Sequence, residues 1–145
     1  MRAARCLYFC DIDSIKPIDE WELLRRGFLE VHGIMVDKPA CTIAPPFGDD
    51  APAFDVLFFD WGGMSIGNSL LEHFCRYIVE DARAKPERLY LMVSDFTARA
   101  MRDFESELTA SKEELPENVF LDCGAFAAYC KRHGLVRNKQ LVMPA

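Results

Sequence analysis

Residues 55–72 read DVLFFDWGGMSIGNSLLE. An apolar run ends at Asp60, a loop with Gly62, Gly63 and Gly67 comes next, and a helix then begins. From Phe54 to Phe59 there is little alternation of polar and apolar residues. The strand this predicts is covered on both faces, as in a parallel sheet. Ser69 to Glu72 matches a capping box with Ser69 as the cap. Leu71, Phe74, Cys75, Ile78 and Ala82 then recur on one helical face. Strand–loop–helix units of this kind form ligand sites at the carboxyl ends of strands in open α/β sheets.

The same unit recurs along the chain. Cys6 to Cys10 predicts a buried strand ending at Asp11, and Pro17 suits the first turn of a helix from Ile18 to His32. Trp21, Leu24, Phe28 and Val31 give that helix an apolar stripe, and Gly33 stops it. Ile34 to Val36 and Cys41 to Ala44 are short strand candidates, within a proline-rich, irregular stretch at 39–52. Leu89 to Val93 predicts a second doubly buried strand. A helix from Thr97 to Ser111 comes after it, with Ala100, Met101, Phe104 and Leu108 on one side. Val119 to Leu121 is a further strand, Ala125 to His133 a short helix ended by Gly134, and the tail an edge strand or loose chain. Strands alternating with helices of crossover length imply one α/β domain over 1–145. The expected fold is a three-layer sandwich with a mostly parallel central sheet, flavodoxin-like or Rossmann-like.

Bulk properties narrow the function. A net charge of −6 gives no general attraction to nucleic acid or an anionic membrane. No apolar run reaches the length of a membrane-spanning helix. The N-terminal stretch lacks the apolar length and cleavage site of a signal peptide. The six cysteines (Cys6, Cys10, Cys41, Cys75, Cys123, Cys130) show no CxxC or zinc spacing and are expected to be small buried hydrophobes in a reduced, cytoplasmic protein.

Each strong strand ends in aspartate: Asp11 with Asp13, then Asp60, Asp95 and Asp122. In a parallel sheet these residues share one edge. Gathered carboxylates repel unless a proton or cation intervenes, and Mg²⁺ held by carboxylates and a phosphate is one reason to gather them. Asp11, Asp13 and Asp60 are the candidate metal ligands, and Asp60 and Asp11 the candidates for catalysis. Gly62, Gly63, Ser65, Gly67, Asn68 and Ser94 are the candidate ligand-binding residues. Asp95 and Asp122 have a second reading as caps of the helices they precede. Asp60 lies too far before Ser69 to cap that helix. His73 is the histidine nearest the loop, and Trp61 offers a ring there. Lys131, Arg132, Arg137 and Lys139 form a basic patch that reads as a solvated helix end.

The run FDVLFFDWGGMSIGNSLLEHF resembles the centre of a response-regulator receiver domain. The resemblance makes Asp60 the phosphoacceptor, Asp11 and Asp13 the Mg²⁺-holding acidic pair, and Ser94 the switch hydroxyl. Asp122 stands where that family has a lysine, and the loop lacks its proline. CDIDSI also resembles the DxD motif of haloacid-dehalogenase-type phosphotransferases, which would make Asp11 a nucleophile, Asp13 a general acid and Ser94 the second-motif hydroxyl. The expected function is a binding or regulatory module for a phosphate-bearing or nucleotide-like ligand, with Mg²⁺ as cofactor. The alternatives are a Mg²⁺-dependent phosphoryl-transfer or phosphoester-hydrolysing enzyme, and a protein-interaction module that uses segment 39–54. A protein partner, including a second copy in a homodimer, stays open; nucleic acid and membrane are not expected partners.

Overall fold

The computed structural model describes residues 1–10, 21–22, 25–36, 39–42, 47, 51–60 and 68–144, with backbone alone at 10, 28, 40–42 and 68–70. Among the described residues the central sheet has five strands: β2 (Cys6–Cys10), β3 (Ala40–Thr42), β4 (Val56–Asp60), β5 (Leu89–Met92) and β6 (Val119–Phe120). All pairings in it are parallel and the spatial order is β3-β2-β4-β5-β6. Counted within this sheet, the order is 2-1-3-4-5, that of the flavodoxin-like doubly wound fold. Among the described residues, helices follow β4, β5 and β6: α1 (Asn68–Ala84), α2 (Asp95–Ala110) and α3 (Cys123–Arg132).

Alternation along the strands divides the core into two layers. Leu7, Phe9, Leu57, Phe59, Tyr90 and Met92 pack with Leu71, Phe74 and Ile78 of α1 and with Met101, Phe104 and Leu108 of α2. Their strand neighbours Tyr8, Val56, Phe58, Leu89 and Leu91 pack on the other side with Trp21, Leu29, Ile34 and, from α3, Phe126 and Cys130. The apolar stripes read from the sequence in α1 and α2 are therefore the buried ones. Burial also pushes the thiols of Cys75, Cys123 and Cys130 up to about 12.

The segment before Gly33 departs from a plain helix. Trp21 and Glu22 are helical, Arg25–Leu29 is a π-turn and Glu30–His32 a 3₁₀ turn. Leu29, the last residue of the π-turn, is buried, while Val31, expected on the apolar stripe, is exposed in the 3₁₀ turn. Gly33 ends the segment at φ +78°, as its position predicts. Leu24 lies outside the described residues. Of the two short strand candidates, Cys41 falls within β3 and Ala44 outside the described residues, while Ile34 to Val36 supplies one parallel bridge, from Met35 to Gln140.

The tail is ordered against the opposite end of the chain. β7 (Val136–Arg137) and β8 (Gln140–Met143) form a hairpin, and β8 pairs antiparallel with β1 (Arg2–Ala3). Asn138 and Lys139, between the hairpin strands, both have positive φ, the backbone of a two-residue type I′ turn.

The amino edge of the central sheet is held by polar contacts. The Asp55 carboxylate accepts two hydrogen bonds from the Arg2 guanidinium, at 2.6 and 2.9 Å, one from the Arg5 amide at 2.7 Å and one from Arg5 Nη2 at 3.1 Å. Burial alone would raise the Asp55 pKa, but the hydrogen bonds from Arg2 and Arg5 and the charge of Arg2 outweigh it and hold it well below the usual carboxylate range. The Asn118 amide reaches the carbonyls of Ala82, Lys85 and Arg88 at 2.9–3.2 Å and ties the end of α1 to β5 and β6.

A carboxyl whose folded pKa is depressed adds stability above its unfolded pKa, and that stability is lost as pH falls through the folded value. Asp55→Asn is expected to cost about 1–3 kcal/mol at neutral pH, less than a fully buried pair because both guanidiniums are partly exposed. The gap between wild-type and variant melting temperatures should close as pH drops below the ordinary carboxylate range. Thermal melts of both proteins across acid pH measure it, and a gap independent of pH would contradict the ion-pair account.

Candidate functional site

In this sheet order the connections leave β2 and β4 in opposite directions, β2 toward β3 and β4 toward β5. In sheets of this order the carboxyl ends of the two strands at the switch point, here β2 and β4, are the place where ligands are held. The last residue pair of that ladder is Cys10 with Asp60. From Cys10 the chain continues into Asp11 and Asp13, and from Asp60 into the glycine loop. The register thus brings together the exits of the two segments singled out from sequence. Asp11, Asp13, Trp61, Gly62, Gly63, Ser65 and Gly67 lie outside the described residues. Asn68 opens α1, so the helix begins earlier than the capping box predicts and Ser69, expected as the cap, lies within it.

Asp60 is buried, 5% exposed. The hydroxyl of Tyr8 donates to Asp60 Oδ2 at 2.6 Å. Tyr8 sits opposite Phe58 in the register, so its side chain shares a face with Asp60 two residues on and reaches it diagonally. The Tyr8 ring packs against Trp21 with centroids 5.1 Å apart, and Trp21 packs against Phe58 at the same separation. An aromatic stack thus fixes the hydroxyl that positions the carboxylate. The Trp21 indole N–H is buried in this stack with no hydrogen-bond partner among the described residues.

The neighbouring part of the same edge is occupied by helix caps. Ser94, not Asp95, caps α2: its hydroxyl accepts from the Thr97 amide at 3.2 Å, and the Ser94 amide donates back to Thr97 Oγ1 at 3.3 Å. The shorter hydroxyl side chain closes this reciprocal box, which leaves Asp95 as the first helical residue, where a carboxylate suits the helix dipole. Asp122 caps α3 by accepting from the Ala125 amide at 2.8 Å. A cavity of about 250 Å³ lies between these two helix starts, lined by Gly27, His32, Met92, Ser94, Leu121 and Asp122. His32 lines it beside Gly124 of α3. A Cβ there would stand 3.4 Å from His32 Cε1 and 3.1 Å from Asp122 Oδ2. Lys131 Nζ donates to the His32 carbonyl at 2.7 Å and anchors that segment.

His73 is exposed on α1 with its ring edge-on to Tyr77 at 4.6 Å. Among the described residues no group of three or more His, Cys, Asp and Glu side chains comes together to hold a metal ion. No helix among them is long and apolar enough to cross a membrane. Sequence reasoning missed Tyr8 and His32. Tyr8 reads as one more apolar residue of CLYFC until the register puts it beside Asp60, and His32 reads as a helix end until α3 is docked against it.

Tyr8→Phe removes the donor and leaves the ring. The buried Asp60 carboxylate would lose a short hydrogen bond, an expected loss of about 1–3 kcal/mol in urea unfolding with unchanged slope. Stability equal to wild type would mean that this contact does not hold Asp60. Comparison of the chain with protein-family models, with curated proteins and with solved structures gives no match.

Proposed function

We propose that this protein is a small binding or regulatory module that takes a phosphate-bearing, nucleotide-like ligand together with Mg²⁺ at the carboxyl edge of its sheet. The observation that supports it is the Cys10–Asp60 pair at the end of the β2–β4 ladder. It sets a positioned carboxylate beside the point where the chain runs into Asp11 and Asp13, in the crevice where doubly wound sheets bind ligands. Mg²⁺ needs few protein carboxylates when phosphate oxygens and waters complete its shell, so Asp60 with Asp11 and Asp13 is a sufficient set. The backbone N–H groups of the glycine loop and the start of α1 are the donors for phosphate. Asn68 and Ser65 would add side-chain contacts, and Ser94 flanks the same edge.

The experiment is thermal denaturation with Mg²⁺, with ATP, and with both. A ligand at about a hundredfold excess over its dissociation constant should raise the melting temperature by about 5–10 °C. Asp60→Asn keeps an acceptor for Tyr8 and should abolish the Mg²⁺-dependent part, as should Asp11→Asn. No shift with any combination would sink the proposal. Release of phosphate from a generic phosphoester, lost in Asp11→Asn, would turn the binding module into the hydrolytic enzyme of the alternative reading.

A further inference from the structure

The charge of this chain is unevenly distributed. All 23 aspartates and glutamates lie at or before Asp122, and the residues after it carry Lys131, Arg132, Arg137 and Lys139 with no acidic side chain. The structure gathers these four bases at one end of the molecule. Lys131 Nζ lies 3.5 Å from the position of a Cβ on Gly33, and Lys139 lines a small cavity with the same Gly33 and with Met35. The Met35 amide donates to the Lys139 carbonyl at 2.6 Å, which pins the β7–β8 turn to that segment. Arg137 stands on the hairpin beside it, and Arg132 closes α3 with its guanidinium 5.8 Å from the Tyr129 ring. All four are exposed, and among the described residues none is in an ion pair. Glu30, which lines the cavity with Lys139, is bound by Arg25.

We infer that the end formed by the β7–β8 hairpin and the last turn of α3 is a docking surface for a short acidic segment of a partner protein. Unpaired like charges brought together on the hairpin and the last turn of α3 repel one another, and an incoming anionic segment relieves that repulsion. Complementary charge of this kind steers the encounter and selects an acidic partner. The rest of the chain selects the size of the partner. A long polyanion such as nucleic acid would extend past the patch along a chain whose residues 1–122 hold all 23 aspartates and glutamates. A short acidic peptide ends within about one Debye length of the bases, roughly 8 Å at physiological salt.

The test uses the whole protein and a fluorescein-labelled oligoglutamate peptide, read by anisotropy over a salt series. Binding at low salt that fades as salt rises is expected. The triple exchange Arg132→Gln, Arg137→Gln and Lys139→Gln should weaken binding about tenfold or more while leaving the melting temperature near wild type. Arg83→Gln with Arg102→Gln, on the other helical layer, should leave binding unchanged. Absence of peptide binding by wild type, or equal binding by the triple variant, would overturn the inference. So would tight binding of single-stranded DNA without binding of the peptide, which would make this end a nucleic-acid surface.

Discussion

The parallel ladder between β2 and β4 is the constraint that the other parts answer to. Five residue pairs, from Cys6 with Val56 to Cys10 with Asp60, fix which side chains face each helical layer. A one-residue slip would exchange the two layers and send Asp60 to the side of α1 and α2. It would also remove Tyr8 from beside Asp60. Because β4 is buried along its whole length, neither layer could accept the exchange without polar atoms entering an apolar core.

The two edges of the sheet do different work. At the amino edge polar side chains are tied to other elements. Asp55 is held by Arg2 and Arg5, Asn118 by three carbonyls, and Asp81 by Arg88 and by the hydroxyl of Tyr90. Arg88 also lies over the Phe54 ring with its guanidinium carbon 4.2 Å from the centroid. At the carboxyl edge the caps of α2 and α3 are satisfied locally, and the chain exits from β2 and β4 are brought side by side.

Much of this architecture can be read from residues alone. VLFFD and LYLM lack alternation because both their faces are covered, and that absence signals a parallel sheet. The stripe Leu71, Phe74, Cys75, Ile78 and Ala82 identifies α1 because its spacing survives any choice of helix boundary. The features that could not be read depend on contacts distant in sequence. The π-turn at Arg25–Leu29 has no local sequence mark, and in it Leu29 is buried while Val31 beyond it is exposed. The Tyr8–Asp60 bond joins residues 52 positions apart and exists only in one register. The choice of Ser94 over Asp95 as cap turns on the reciprocal hydroxyl of Thr97. The tail is ambiguous in sequence because its strands are short and its partner, β1, lies at the other end of the chain.

The buried thiols of Cys75, Cys123 and Cys130 carry a practical consequence. A thiol with its pKa pushed to about 12 holds almost no thiolate at neutral pH, and reaction with disulfides and alkylating agents needs the thiolate. Cys75 belongs to one core layer, while Cys123 and Cys130 belong to the other. Their labelling rates therefore act as two separate clocks for how often each half of the interior opens to solvent.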